Sequence, residues 1–282
     1  MSWCRREESP QLTVNQAINR IFSEYSDDFK YRGDLPLANW TYCLSAVGTY
    51  LVIIFALKKF MANREAFKLS GVVPLHNSIL CIWSLAMLLG IIYELVRIYL
   101  SETQDKTLLY FCDPEHRLAK GKQVWWFYIF FLSKSYELLD TVIIVLKKRP
   151  IIFLHVYHHC ITLILTFVML EHETGVQWMA ISANAAVHVP MYFYYALSSV
   201  GYSPWWKRYI TQFQIIQFVC DLIANFIGFW FIFHDGRKCA GHPFSWIFGQ
   251  SVLLSFLLLF INFFVKTYSK KPEARRPTKK EN

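Results

Sequence analysis

The sequence predicts an all-α, polytopic membrane protein, with seven transmembrane helices enclosing a polar chamber and an apolar slot. Three observations carry that prediction. The 282 residues are 55% hydrophobic and 18% aromatic but only 17% charged. Apolar stretches recur at close to the roughly 20 residues needed to cross a bilayer core. The polar residues inside those stretches are spaced so that they gather on one face of a helix.

In chain order the predicted spans are 38–57, 75–100, 123–146, 151–170, 176–198, 209–233 and 244–265. The second, third and sixth require buried polar residues, among them Glu94, Glu137 and Asp221. Residues 1–37 are polar and mixed in charge, with no visible cleavable signal, so the first span is expected to serve as the insertion signal. One helix per crossing leaves a polar N-terminal segment (1–37), a single membrane domain (38–265) and a basic tail (266–282). No internal repeat or low-complexity segment interrupts the domain.

Orientation follows from Lys and Arg. The side of the C-terminal tail carries 16 of them and the opposite side 11. The loop after the third span, Lys147-Lys148-Arg149, is almost wholly basic, whereas the next connection, from Glu171 to Val176, has carboxylates and no Lys or Arg. The positive-inside rule therefore places the C-terminus in the cytosol and the N-terminus across the membrane. The formal charge of +9 is partly this topology signal and partly a field that attracts polyanions such as nucleotide phosphates to the cytosolic face. It does not point to nucleic acid.

Two of the seven cysteines, Cys112 and Cys239, fall in the long loops expected on the non-cytosolic side. If that compartment is the oxidising lumen of the endoplasmic reticulum (ER), a disulfide would tie the loops together; two free thiols are the alternative. Asn39-Trp40-Thr41 is a glycosylation sequon at the membrane edge and is expected to be unused.

The fourth span opens on His155-Val-Tyr-His158-His159. At about 100° per residue the three imidazoles lie within roughly 100° of arc and make one site. The third span holds Lys134, Glu137 and Asp140 at i, i+3 and i+6. Each charge costs about 2.5–3.5 kcal/mol at a helix centre, so the three must pair or line a wet cavity. A buried structural ion network is the plain reading of that cluster taken alone. In the fifth span Asn184, His188, Tyr192 and Tyr195 follow helical spacing, with Met191 on the same side. In the sixth, Thr211, Gln214, Gln217, Asp221 and Asn225 form a polar stripe. A lone core histidine or packing tyrosine explains each residue singly; four adjacent polar faces describe a chamber near the cytosolic side.

These motifs together, Lys-x-x-Glu-Leu-x-Asp-Thr at 134–141, His-Val-Tyr-His-His at 155–159, Asn-x-x-x-His-x-x-Met-Tyr-x-Tyr-Tyr at 184–195 and Thr-x-x-Gln-x-x-Gln-Phe at 211–218, resemble the ELO family of very-long-chain fatty acid elongases. The resemblance runs from about Cys112 to Lys266 and is nearest to fungal-type members. It implies a 3-ketoacyl-CoA synthase of the ER membrane that condenses a long-chain acyl-CoA with malonyl-CoA, through an acyl-histidine intermediate. It needs no cofactor or metal. The apolar slot would then hold the acyl chain.

Under that reading His158 is the nucleophile and His188 orients malonyl-CoA or stabilises its enolate. His155 and His159 tune them, while Lys134, Glu137, Asp140 and Asn184 complete the catalytic group. Tyr192, Tyr195, Gln214, Gln217 and Asp221 line the substrate site, and Lys147, Lys148, Arg149, Lys207 and Lys266 meet the nucleotide phosphates. The expected partners are the two CoA thioesters, the bilayer, the other ER enzymes of the elongation cycle and a second copy of the chain. Lys279 and Lys280 look like a di-lysine ER retrieval signal.

Cys160 lies roughly 150° from the histidine face, which argues against a thiolate nucleophile. His-x-x-His-His is also a signature of membrane di-iron desaturases and hydroxylases. The remaining imidazoles, His76, His116, His172, His188, His234 and His242, are too scattered to complete such a centre. A seven-helix receptor or transporter explains the chamber but not the clustered histidines.

Overall fold

The computed structural model describes residues 13–103 and 105–268, and every regular element in them is an α-helix. Lys279 and Lys280 lie outside the described residues. The helices are α1 (Val14–Ser23), α2 (Trp40–Met61), α3 (Val72–Ser101), α4 (Lys106–Phe111), α5 (Gly121–Glu137), α6 (Leu139–Leu146), α7 (Phe153–Glu171), α8 (Gln177–Ser199), α9 (Lys207–Phe233) and α10 (Pro243–Tyr268). Five of them, α2, α3, α7, α9 and α10, are long and apolar enough to cross a membrane. The protein is a multi-pass membrane protein.

Local chemistry sets several of the boundaries. Asn39 caps α2, its side-chain oxygen accepting the Tyr42 N–H at 2.8 Å, so the sequon asparagine is occupied as a helix cap. Asp105 caps α4 in the same way. Pro243 opens α10 at a first-turn position, where its missing N–H costs nothing.

The third predicted span is one continuous stretch in the sequence but two helices in the structure. The chain breaks at Leu138, between Glu137 and Asp140, leaving α5 with 17 residues and α6 with 8. Leu138 itself keeps right-handed helical angles (φ −58°, ψ −24°), and the carboxylates on either side of it meet different partners, as described below. The fifth predicted span forms one helix, α8, whose Gln177, Asn184, His188 and internal Pro190 lower its hydropathy.

At the basic end of the bundle, Phe67 N–H donates to the Leu146 carbonyl at 3.0 Å, and the Lys148 ammonium donates to the carbonyls of Ala62 and Arg64 at 3.2 and 2.7 Å. The α2–α3 and α6–α7 loops are thereby fastened together. At the opposite end Cys112 and Cys239 form a disulfide. Around it Ala240 N–H donates to the Cys112 carbonyl at 2.8 Å, Gly175 N–H to the Ala240 carbonyl at 3.2 Å, and Thr174 Oγ1 to Ser245 Oγ at 2.7 Å. Gly228 closes this cap from α9, since a Cβ there would meet the Trp246 ring at 2.2 Å and the Phe111 carbonyl at 2.8 Å. Three loops thus make one plug across the bundle end.

A mass-tagged alkylation experiment on the unreduced protein tests the plug. Peptides containing Cys112 and Cys239 should stay unlabelled until a reductant is added, whereas ready labelling beforehand would contradict the bridge.

Candidate active site

Charge placed where water is absent must be paired, and α5 supplies both halves of a pair one turn apart. The Lys134 ammonium donates to Glu137 Oε1 at 2.8 Å and to Asn184 Oδ1 on α8 at 2.9 Å. Both side chains are fully enclosed, at 2% and 1% exposure. Ser133 Oγ adds a longer bond to Glu137 Oε1 at 3.4 Å, and His188 Nδ1 approaches the same oxygen at 3.6 Å. One carboxylate oxygen therefore gathers a cation, a hydroxyl and an imidazole, with α8 bound to α5 through it. Removing either charge would strand the other, which in buried pairs costs about 3–5 kcal/mol.

Beyond the break, Asp140 serves a different set. The Tyr192 hydroxyl donates to its Oδ2 at 2.9 Å, His76 Nε2 lies 2.6 Å from its Oδ1, and His159 Nε2 is 4.0 Å from Oδ2. Thr141, next in sequence, shares its hydroxyl between Tyr50 on α2 and His155 Nε2 on α7, each at 2.8 Å. The rings of His155 and His159 are 4.5 Å apart and those of His158 and His159 5.6 Å apart. His188 meets Tyr192 edge to face at 5.2 Å. The structure thus collects Lys134, Glu137, Asp140, Asn184, His188, Tyr192 and the three box histidines. The cluster begins a turn or two below the basic end, with His158 five residues into α7, roughly 8 Å along its axis.

His158 differs from its neighbours in what it packs against. Among the described residues no hydrogen bond holds its ring or that of His159, but His158 alone of the three lies against Phe256 at 5.1 Å and Phe260 at 6.3 Å on α10. Those rings belong to an apolar cluster of Leu165, Met169, Phe218, Val252, Leu253, Phe256 and Phe260 between α7, α9 and α10. His158 is therefore the imidazole at the seam between the polar network and the hydrocarbon interior.

The structure leaves other expected residues outside the network. Tyr195 is 45% exposed. Gln214 Nε2 points to Met191 Sδ at 3.6 Å, while Gln217 Nε2 donates to Asp221 Oδ2 at 3.3 Å within α9 itself. Asn225 lies further along, against Gly249 and Met169. Among the described residues no hydrogen bond joins this α9 stripe to the histidines. Arg149, Lys207 and Lys266 are exposed at the basic end and Lys147 is half-buried there, while Lys148 is spent on the loop carbonyls. Cys160 packs with Val145, Val156 and Ile54. An apolar groove of about 350 Å³ between α8 and α9, lined by Pro190, Trp206, Tyr209 and Phe213, opens outward through exposed side chains and stands apart from this chemistry. Among the described residues no three His, Cys, Asp or Glu side chains are grouped to hold a metal ion.

Three participants were not picked out by the sequence motifs: His76, Tyr50 and Tyr136. Thr141 closes the first motif but carried no role there. His76 and Tyr50 lie in helices whose other polar residues do not extend a stripe from them, so no periodicity marks them.

Residues 35–276 match the family described as ELO: GNS1/SUR4 family. A putative fatty acid elongase of Dictyostelium discoideum is 43% identical over 260 residues, covering 92% of this chain and 86% of that protein. Fatty acid elongase A of the same organism is 38% identical over 270 residues, covering 91% and 97%. Putative fatty acid elongase 1 of Schizosaccharomyces pombe is 38% identical over 254 residues, covering 86% and 74%.

The pairing of Lys134 with Glu137 has a measurable signature. Lys134→Met should destabilise the detergent-solubilised protein by about 3–5 kcal/mol, whereas Lys134→Met with Glu137→Gln should recover much of that loss because no charge is stranded. Thermal midpoints check this; a single variant as stable as the wild type would contradict it.

Proposed function

The chain belongs to the ELO: GNS1/SUR4 family, and from that membership we propose that it is the condensing enzyme of fatty acid elongation. It joins a long-chain acyl-CoA to malonyl-CoA to give a 3-ketoacyl-CoA, carbon dioxide and free CoA. The observation that carries the site assignment is the position of His158, with polar partners behind it and the Phe256–Phe260 hydrocarbon in front.

An acyl tail lying in the α7–α9–α10 cluster brings its thioester to His158. The imidazole nitrogen attacks the carbonyl, the C–S bond breaks, and the proton lost by the ring goes to the departing thiolate. Free CoA leaves an acyl-imidazole behind. Malonyl-CoA then enters the same mouth. Loss of carbon dioxide leaves the electron pair of the broken C–C bond on an enolate, which attacks the acyl carbonyl. His158 departs and takes up a proton. His188, held near Glu137, is placed to orient the malonyl thioester and to donate to the enolate oxygen. Lys134, Glu137 and Asn184 keep that imidazole in place, and His155 and His159 set the position of His158 from the other side. The reaction draws on side chains alone, with no resident metal or cofactor.

The cations at the basic end, Lys147, Arg149, Lys207 and Lys266, suit the nucleotide phosphates of both substrates. Two bulky CoA groups at one mouth favour sequential use of it, which is what the acyl-histidine permits. We further read α5 with α6, and α8, as the remaining two crossings, giving seven in all. The N-terminal segment is then lumenal and the basic end cytosolic in the ER membrane, where the other enzymes of the cycle would take up the product. Tyr195 and the α9 residues Gln214, Gln217 and Asp221 fit the walls of the acyl path rather than the reacting centre.

The test is an elongation assay on purified protein, with labelled malonyl-CoA and a panel of acyl-CoAs of increasing length. Labelled 3-ketoacyl-CoA is expected for the long-chain members. His158→Ala should reduce it to background, and His188→Ala should lower kcat by roughly 10²–10³-fold. Wild-type protein that yields no ketoacyl product across the panel would overturn the assignment.

A further inference from the structure

His76, on the second turn of α3, belongs to none of the four motifs, yet it is buried and holds one of the two working carboxylates. Its Nε2 is 2.6 Å from Asp140 Oδ1, its Nδ1 is 3.3 Å from the Tyr136 hydroxyl, and its ring lies against that of Tyr136 at 5.2 Å. Tyr136 in turn packs on Trp83 of α3 at 5.9 Å. The imidazole is thus fixed on both edges and one face.

The donors can be followed through the cluster. A neutral His76 with its proton on Nε2 donates to the carboxylate, leaving Nδ1 to accept from the Tyr136 hydroxyl. Tyr192 donates to the other carboxylate oxygen. Asp140 is therefore gripped from α3 through one oxygen and from α8 through the other, and the oxygen shared with Tyr192 is the one that faces His159 Nε2. At 4.0 Å that contact is longer than a hydrogen bond, so the carboxylate acts on the His159 ring through its charge. Among the described residues His76 makes no hydrogen bond or ring contact with His155, His158 or His159.

We propose that His76 is a positioning residue for the condensation: it holds Asp140 so that the carboxylate keeps its place 4.0 Å from the ring nitrogen of His159, against which the nucleophilic His158 packs. The proposal rests on the reading of this site as the condensing centre. Loss of the outer partners that hold histidines in metal centres typically costs 10–100-fold, and that is the scale expected here. Here the carboxylate has its own histidine behind it, contributed by a helix that supplies no other group to the site.

The experiment compares His76→Leu, which removes the donor, with His76→Gln, whose amide N–H can reach the place of Nε2. His76→Leu should lower kcat by roughly 10-fold or more, with KM for both CoA substrates little changed, and His76→Gln should regain most of the loss. In an Asp140→Asn background, His76→Leu should add nothing further, because the group it positions is already gone. A second readout does not depend on turnover. The C2–H exchange rate of His159, followed by mass spectrometry, should change in His76→Leu and return toward wild type in His76→Gln, while His172 and His242 at the far end of the bundle stay unchanged. If His76→Leu does not give monodisperse protein, His76→Asn takes its place, since its amide is too short to reach Asp140.

A wild-type kcat in His76→Leu, a folded His76→Gln as impaired as His76→Leu, losses that multiply with Asp140→Asn, or an unchanged His159 exchange rate would each overturn the proposal. Should the wild type itself make no ketoacyl-CoA, the condensing reading falls instead, and the exchange measurement alone judges the role of His76.

Discussion

A lysine and two carboxylates enclosed within the helical bundle are the constraint from which the rest of this structure follows. Each ionised group would cost about 2.5–3.5 kcal/mol if left to hydrocarbon. The molecule meets that cost with partners from elsewhere in the bundle. Lys134 and Glu137 satisfy one another and recruit Asn184 and His188 from α8. Asp140 takes Tyr192 from α8 and His76 from α3. Glu137 and Asp140 flank the single-residue interruption at Leu138, and between them they draw on α8 and α3. Thr141 then links α2 to α7 through Tyr50 and His155. Helices with no apolar preference for one another over lipid are thereby given a specific arrangement.

The same arrangement explains why the chemistry sits where it does. A nucleophile for a fatty thioester has to touch hydrocarbon on one side and a source of protons and hydrogen bonds on the other. Of the three box histidines His158 alone has that double contact, with Phe256 and Phe260 before it and His159 behind. In the function proposed above, this seam is where the acyl chain meets malonyl-CoA. The disulfide-bonded plug lies at the end opposite the basic rim.

Much of this was legible in the sequence, and the exceptions have physical causes. Helical spacing put Lys134, Glu137 and Asp140 on one face and His155, His158 and His159 on another, because a side chain's direction on a regular helix is fixed by its position. The interruption at Leu138 was not legible, since Tyr136 to Leu139 contains no Gly or Pro. His76 and Tyr50 escaped for a related reason: the other polar residues of their helices do not extend a stripe from them, and only the packing of α3 and α2 gives each a role. The α9 stripe shows the converse. Gln217 and Asp221 share a face in the sequence and bond to each other, while among the described residues Asp221 Oδ1 and Asn225 keep no partner and no hydrogen bond joins the stripe to the histidines. Lys148 was counted with the phosphate-binding rim, whereas its ammonium fastens two loops.

The central claim is that His158 carries the acyl group between two substrates that use one mouth in turn. Rapid-quench mass spectrometry on purified protein mixed with acyl-CoA alone tests it most directly. Stoichiometric free CoA and an acyl mass on the peptide containing His158, both absent from His158→Ala, are the predicted result. Release of CoA only after malonyl-CoA is added, with no acylated protein trapped at any time, would contradict the account and require both substrates to be bound together.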